Sequence, residues 1–261
     1  MTAPNILLEG PPGTGKTYSL RTLSAAVETF VIFTEPRFDC LRDVPDERLH
    51  WRYIPPASVG WNTLLEGAKL INALTVEALQ KQAQGIARDK YRQFLDLLIQ
   101  MNNFKCDRCN REFGDVLQFG PDKALVIDGL TGISKMSADL TVGAKPVVTQ
   151  PDWGVMMGNL ERFLDTTTNS LKCTFVLIAH LEPERDEVTG SIRNYPSTLG
   201  RKLAPKLGRN FDEVLIARRE ASSYYWSNES ADTDTKASRM PLGTKIAPDF
   251  GPLLRLYEIV K

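Results

Sequence analysis

The sequence has little of several features that mark specialised protein classes. Lysines and arginines number 32, as do aspartates and glutamates, so no overall basic field attracts nucleic acid and any such surface must be a local patch. No apolar run approaches the ~20 residues of a membrane-spanning helix. The first apolar segment begins within a few residues of Met1, which leaves no space for a signal peptide. With four cysteines only, we expect a cytoplasmic protein without disulfides and without a membrane partner.

One motif near the N-terminus dominates what is present. Residues 10–17 read GPPGTGKT and match the phosphate-binding loop G-x-x-x-x-G-K-[ST] at every fixed position. The flanking patterns predict a strand at Asn5–Glu9 and a helix from Gly15 to about Thr29. Glycines let the backbone aim its N–H groups at phosphate oxygens. We therefore predict that a nucleoside triphosphate binds at nine residues: Gly10, Pro11, Pro12, Gly13, Thr14, Gly15, Lys16, Thr17 and Tyr18.

Three side chains are predicted to handle the phosphates and Mg²⁺. The Lys16 ammonium would bridge the β- and γ-phosphates, and the Thr17 hydroxyl would bind the metal. Asp128 ends an apolar strand, at the edge of a parallel sheet where ligands bind, and would contact the metal through a water. The alternative for Asp128 is a carboxylate that caps the following turn.

The base that activates water is predicted on a different strand. Many ring-forming AAA+ ATPases place a glutamate directly after this aspartate, but here that position is Gly129. Glu35 ends the buried strand that follows the first helix and could polarise the attacking water. His180 ends a third buried strand and could sense the γ-phosphate. The alternatives are a solvated glutamate in a turn and a structural histidine.

The pattern of apolar segments predicts an α/β fold. Three runs predict strands buried on both faces: Phe30–Thr34, Ala124–Asp128 and Cys173–Ala179. Helical periodicity between them predicts a mainly parallel, twisted sheet flanked by helices. We also expect a helical insertion at about 75–120 and a tight C-terminal β-hairpin from Glu213–Arg219 and Ser223–Ser227. Ser134–Asp152 and Leu181–Asn210 are predicted to be loops.

These features together resemble the RecA-like ATPases. Four later segments are similar to the minimal RecA-type proteins of bacteriophages, a group associated with single-strand annealing and recombination: Ile178–Leu181, Thr198–Leu203, Phe211–Val214 and Lys236–Arg239. The resemblance spans nearly the whole chain. It implies a single RecA-like P-loop ATPase domain over 1–261 that uses ATP and Mg²⁺, in a bacterial host cytoplasm if a phage encodes it.

The resemblance also implies partners. Subunits would stack into a ring or filament, and Lys236 and Arg239 would reach the γ-phosphate held by the next subunit as an arginine finger does. The alternative for this pair is solvated charge in a polar loop. Relatives bind single-stranded DNA through two loops, here Ser134–Asp152 and Leu181–Asn210, and they suggest a single-strand-binding protein as a further partner.

The second of these segments carries a local basic patch. It contains no acidic residue from Ser191 to Asn210, and Tyr195 offers a stacking surface for a base. Five side chains are the predicted contacts to nucleic acid: Arg193, Arg201, Lys202, Lys206 and Arg209. Alternatively, these charges cover a helix near Leu199–Leu207 or make subunit contacts.

Cys106 and Cys109 have the C-x-x-C spacing of half a zinc site. A structural Zn²⁺ site has four ligands, and the chain has no second C-x-x-C. Cys40 and His50 are the other plausible ligands in this half of the sequence. The alternative is a pair of reduced thiols in a turn.

Two other functions fit a phosphate-binding loop. A small-molecule kinase of the nucleotide-kinase type would use Leu181–Asn210 as a basic lid over its acceptor. A non-hydrolysing adaptor would use ATP to stabilise its fold and recruit a replication protein. The chain has no Asn-Lys-x-Asp motif for reading guanine, which favours ATP.

Overall fold

The computed structural model describes residues 3–36, 38–55, 57, 60–73, 75, 78, 91–143, 148–185 and 190–261. The strands in these ranges are β1 (Asn5–Gly10), β2 (Glu28–Phe33), β3 (Leu49–Tyr53), β4 (Lys123–Asp128), β5 (Thr174–Arg185), β6 (Ile192–Pro196), β7 (Glu213–Glu220), β8 (Ser223–Ser227) and β9 (Lys236–Ala237). The helices are α1 (Lys16–Ala26), α2 (Trp61–Ala73), α3 (Gln93–Asn102), α4 (Leu130–Val142), α5 (Gln150–Ser170), α6 (Gly200–Leu203) and α7 (Phe250–Leu256). Short 3-10 turns lie at Asp39–Leu41, Val116–Gln118 and Ala204–Asn210.

The strands form one sheet in the order β3-β2-β4-β5-β1-β7-β8. All neighbouring pairs from β3 to β7 are parallel, and β8 closes the edge as the antiparallel partner of β7. The predicted mainly parallel sheet with a C-terminal hairpin is therefore confirmed. Because the parallel strands end at one edge, the residues that follow β1, β2 and β4 meet there, beside the middle of β5.

Both faces of the sheet are covered, which explains the continuous apolar runs. Successive residues of β1 point to opposite faces: Leu7 joins one core cluster, and Ile6 and Leu8 join the other. The first cluster packs α3, α4 and α5 on the sheet, and the second packs α1 and α7. The strand ends that carry the polar side chains are thus held by a hydrophobic core on each face of the sheet.

Two predicted loops are regular structure instead. Ser134–Asp152 is not a long loop: α4 continues to Val142, and α5 begins at Gln150 behind a capping box formed by Thr149 and Asp152. Gly143 ends α4, and Pro151 lies in the first turn of α5, where its missing N–H costs nothing.

The segment Leu181–Asn210 is also more ordered than predicted. β5 runs on to Arg185 and pairs with β6 as an antiparallel ribbon, and α6 with the following 3-10 turn covers Gly200–Asn210. The predicted helical insertion is described only in part, because 76–77 and 79–90 lie outside the described residues. Within the described ranges, no helix combines the length and the apolar character needed to cross a membrane.

Candidate functional site

The phosphate-binding loop connects β1 to α1 at the carboxyl edge of the sheet. Gly15 caps the helix in the left-handed conformation, with φ of 83°, and a Cβ there would lie 3.1 Å from the ring of Tyr224. Both facts require glycine at this position. The loop therefore presents the N-terminus of α1 to the space above the strand tips, where its N–H groups and partial positive charge suit an anion.

Lys16 is buried at the first turn of α1. Its Nζ donates to the carbonyl oxygens of Gly10 at 2.7 Å and Pro11 at 2.8 Å, and lies 3.5 Å from Nδ1 of His180. Burial lowers the pKa of Lys16 to about 8, while Asp128 and Glu35 act in the opposite direction. The ammonium group is thus held at the loop, where the phosphates are expected to bind, and it is influenced by the charges of Asp128 and Glu35.

Thr17 and Asp128 lie side by side below the loop. The Thr17 hydroxyl donates to Oδ2 of Asp128 at 2.6 Å. Burial raises the pKa of Asp128 to about 6, and the hydroxyl bond counteracts this. A hydroxyl and a carboxylate are hard oxygen ligands, so the chemistry of this pair fits Mg²⁺.

Glu35 follows the tip of β2, and His180 lies within β5, on the other side of β4. The prediction that His180 ends its strand is wrong, because β5 continues to Arg185 as the partner of β6. The register places Phe33 beside Asp128 and Asp128 beside Ile178, so both strands flank the aspartate. Nε2 of His180 lies 3.4 Å from Oε2 of Glu35. The structure thus brings together Lys16, Asp128, Glu35 and His180; their roles remain predictions.

A close contact between β2 and α4 explains why no glutamate follows Asp128. The buried Thr34 hydroxyl donates to the carbonyl of Gly129 at 3.0 Å. A Cβ at Gly129 would lie 2.0 Å from this oxygen, and one at Gly132 would lie 2.1 Å from it. Gly129 also has φ of 130°, which side chains rarely adopt. A glutamate at position 129 cannot be accommodated beside Thr34, whereas Glu35 follows Thr34 directly.

These groups line a cavity of about 1200 Å³. Sequence reasoning missed Cys40, Tyr224 and Pro248, which line it as well. Tyr224 comes from β8, more than 200 residues along the chain from the loop, and is 44% exposed. No spacing in the sequence links it to the motif, because only the sheet order brings β8 near.

Lys236 and Arg239 do not join this cavity. β9 pairs with Glu213 and Val214 at the start of β7, whereas the phosphate-binding loop follows the end of β1, which runs parallel to β7. Lys236 donates to the carbonyl of Phe211 at 2.5 Å. The Arg239 guanidinium donates to a carbonyl of α7 and stacks over a tyrosine ring. Neither residue serves the phosphates of its own chain.

The described residues among the predicted nucleic-acid contacts lie on β6 and on the 3-10 turn that precedes β7. Arg193 is exposed and pairs with Asp234 at 2.6 Å, and Lys206 and Arg209 are exposed on the 3-10 turn. The side chains of Arg201 and Lys202 lie outside what the structure describes. Helical structure at Gly200–Asn210 keeps the alternative open that these charges cover a helix.

Cys106 and Cys109 lie on a hairpin against β3, away from the cavity. Cys40 faces the cavity and is not near them. His50, a plausible zinc ligand from the sequence, lies near both cysteines.

The chain is similar to one protein family in sequence and to several solved structures. A family model described as an AAA domain matches residues 2–239. No curated protein matches the chain. Solved structures that match include a prototypical ATPase of the type III secretion system of pathogenic bacteria, at 12% identity and a TM-score of 0.42, over 84% of this chain and 53% of that one.

A second matching structure is the assembled ATPase EscN of the enteropathogenic E. coli type III secretion system, at 11% identity and a TM-score of 0.44, over 91% of this chain and 48% of that one. The present chain spans about half the length of these structures. The family match covers most of the chain and includes the whole phosphate-binding site. The chain therefore belongs to the AAA domain family.

Proposed function

We propose that the protein hydrolyses ATP as a RecA-like oligomer that acts on single-stranded DNA in phage recombination or replication. The observation that carries the hydrolysis is the meeting of Lys16, Asp128, Glu35 and His180 at one edge of the parallel strands, around one cavity. An adaptor that only binds ATP would not need a carboxylate beyond the metal-facing Asp128 at this edge.

The chemistry assigned to these residues is in-line attack by water. Glu35 orients the water and accepts its proton, and His180 holds the Glu35 carboxylate. Lys16 and the N-terminus of α1 stabilise the negative charge on the transferring phosphoryl group. Mg²⁺ bound by Thr17, and by Asp128 through a water, would neutralise further charge on the phosphate oxygens.

The remaining positive charge is proposed to come from a neighbouring subunit. Lys236 and Arg239 lie at the opposite end of β1 and β7 from the phosphate-binding loop of their own chain. In a head-to-tail stack, this end of one subunit would face the cavity of the next. Their present bonds to carbonyl oxygens would then be exchanged for contacts to phosphate.

Mixing two inactive variants tests this arrangement. Arg239→Ala should lose most ATP turnover but keep ATP binding, and Lys16→Ala should lose binding. Mixed in equal amounts, they should recover part of the wild-type turnover, because Lys16→Ala subunits supply Arg239 to neighbours that hold ATP. ATPase rates of the single variants and of the mixture provide the measurement. Wild-type turnover per subunit in Arg239→Ala would remove the proposal, and its melting temperature controls for lost contacts to α7.

The DNA assignment is supported by a direct connection to the catalytic cavity. His180 continues without a break into the ribbon of β5 and β6, and its carbonyl accepts from the N–H of Ser197 at 2.7 Å. The Ser197 hydroxyl donates to Glu182 on β5 at 2.8 Å. Ser197 lies within the basic segment, between Arg193 and Arg201. This contact is the proposed route from the γ-phosphate to the DNA segment through His180.

Charge reversal in this segment tests the DNA assignment. We expect single-stranded DNA to increase ATP turnover, and binding to weaken steeply as salt rises because lysine and arginine displace counterions. Arg201→Glu with Lys202→Glu should abolish both effects without changing turnover in the absence of DNA. A matched double reversal at Lys172 and Arg255, both exposed and outside the segment, should change neither. Equal DNA affinity in both double variants would overturn the assignment, and stimulation by a small phosphate acceptor instead would favour the kinase.

A further inference from the structure

Three metal-ligating side chains meet at the edge of the sheet, far from the nucleotide cavity. Cys106 and Cys109 lie in the turn of a hairpin whose arms pair at Lys105 and Glu112, and His50 comes from β3. One atom from each side chain lies within 4.8 Å of the other two. Sγ of Cys109 lies 3.8 Å from Nδ1 of His50. Of the two further ligands that the sequence offered, the structure thus places His50, and not Cys40, in this cluster.

The histidine is oriented as a metal ligand. Its Nε2 lies 3.1 Å from Oε1 of Glu28, so the ring donates its proton to the carboxylate and leaves the Nδ1 lone pair toward Cys109. The second oxygen of Glu28 accepts from Lys123 at 2.5 Å. Metal-bound histidines commonly have such a carboxylate behind them, because it fixes the ring and raises its basicity. His50 is fully buried, so this orientation is not a surface accident.

The cysteine turn is shaped to present both sulfurs to one point. The N–H of Arg108 donates to Sγ of Cys106 at 3.3 Å, and the N–H of Asn110 donates to the carbonyl of Cys106 at 3.1 Å. Asn110 has φ of 56°, which reverses the chain directly after Cys109. The Arg108 side chain anchors the turn by donating to the carbonyl of Leu49 at 3.1 Å. The backbone thus orders the sulfurs before any ligand binds.

We propose that Cys106, Cys109 and His50 bind one zinc ion, with Glu28 as the residue that positions His50. Two ligands of a tetrahedral zinc site lie about 3.5–3.8 Å apart, given Zn–S near 2.3 Å and Zn–N near 2.0 Å. The present separations are within about 1 Å of these values, so a small closure of the cluster completes the geometry. Among the described residues, no further histidine, cysteine or carboxylate supplies a fourth ligand, and water takes the fourth position.

The ion would have a structural role. It would tie the hairpin that precedes β4 to β3, the edge strand of the parallel sheet. Phe113 of the hairpin already packs on His50, with ring centroids 4.3 Å apart. Metal binding would fasten this contact by bonds to both elements. The chain thereby closes an edge that no further described strand covers.

Metal analysis of the full-length protein, purified under reducing conditions without chelator, tests the proposal. We expect one zinc per chain, lost in Cys106→Ser with Cys109→Ser and retained in Cys40→Ser, whose thiol lies elsewhere. Replacement by Co²⁺ should give thiolate charge-transfer bands that weaken stepwise in the single cysteine variants. Glu28→Gln should keep the ion but bind it about 10–100-fold more weakly.

Several results would overturn the proposal. One is a metal-free wild-type protein that takes up no zinc on titration, with or without a Cys106–Cys109 disulfide. Another is zinc retained in the double cysteine variant, which would place the ion elsewhere. If the double variant fails to fold, His50→Gln in the Co²⁺ form decides, because the loss of one nitrogen ligand must shift the spectrum.

Discussion

Replacing Glu35 by glutamine is expected to lower ATP turnover by about 10²–10⁴-fold while ATP affinity changes little. The amide keeps the size of the side chain and can still accept from His180, but it cannot take a proton from water. Binding is spared because the loop amides and Lys16 make the phosphate contacts. Turnover by phosphate release, together with ATP affinity by calorimetry, separates the two effects.

The comparison with Lys16→Ala makes this result specific. That variant should lose ATP uptake itself, because burial of the phosphates without the ammonium leaves their charge uncompensated. His180→Gln should lie between, since it loosens Glu35 without removing the base. Turnover in Glu35→Gln within a few-fold of wild type would place the base elsewhere and leave Glu35 as a turn residue.

Replacing Glu9 by glutamine is expected to stabilise the fold by about 3 kcal/mol at pH 7. Glu9 precedes the phosphate-binding loop and is 1% exposed, and its two carboxylate oxygens have no hydrogen-bond partner among the described residues. Burial raises the pKa of this carboxyl from 4.5 to about 8, with a smaller contribution from Asp234. We therefore expect the wild-type protein to hold a proton on Glu9 at neutral pH.

The sign of the pH dependence follows from this shift. Between the unfolded pKa of 4.5 and the folded pKa of about 8, folding takes up a proton on Glu9. The contribution of protonated Glu9 to stability is therefore fully present below pH 4.5 and is lost as pH rises toward about 8. Urea unfolding at pH 5, 7 and 8 should show a growing gap between Glu9→Gln and wild type. Glu47→Gln, at an exposed position, removes the same charge and should leave the gap near zero. Parallel curves for Glu9→Gln and wild type would show that the carboxyl is ionised in the folded protein.

Local patterns predicted the strands and the phosphate-binding loop because buried parallel strands are apolar throughout and the motif has a fixed spacing. They also placed Glu35 and Asp128 at strand ends, and parallel strands bring such ends to one edge, but they did not predict that β5 continues past His180. The loop predicted at Ser134–Asp152 was wrong because glycine and proline, which break helices, also occur where helices begin and end.

Long-range partners were beyond the reach of sequence spacing. Tyr224 reaches the cavity through the sheet order, and His50 reaches the cysteine hairpin because β3 is the edge strand. Glu9 reads as an ordinary strand-end acid, and only the packing around β1 shows that it is buried. In each case the tertiary neighbour, not the local pattern, determines the chemistry.

The hydroxyl of Thr34 and the two glycines of α4 have a consequence for how this enzyme can change over evolutionary time. A lineage that gained a carboxylate at position 129 would first have to vacate the space beside Thr34, and a side chain at position 132 would meet the same hydroxyl oxygen. Descendants are therefore expected to keep or to exchange the three positions 34, 129 and 132 together.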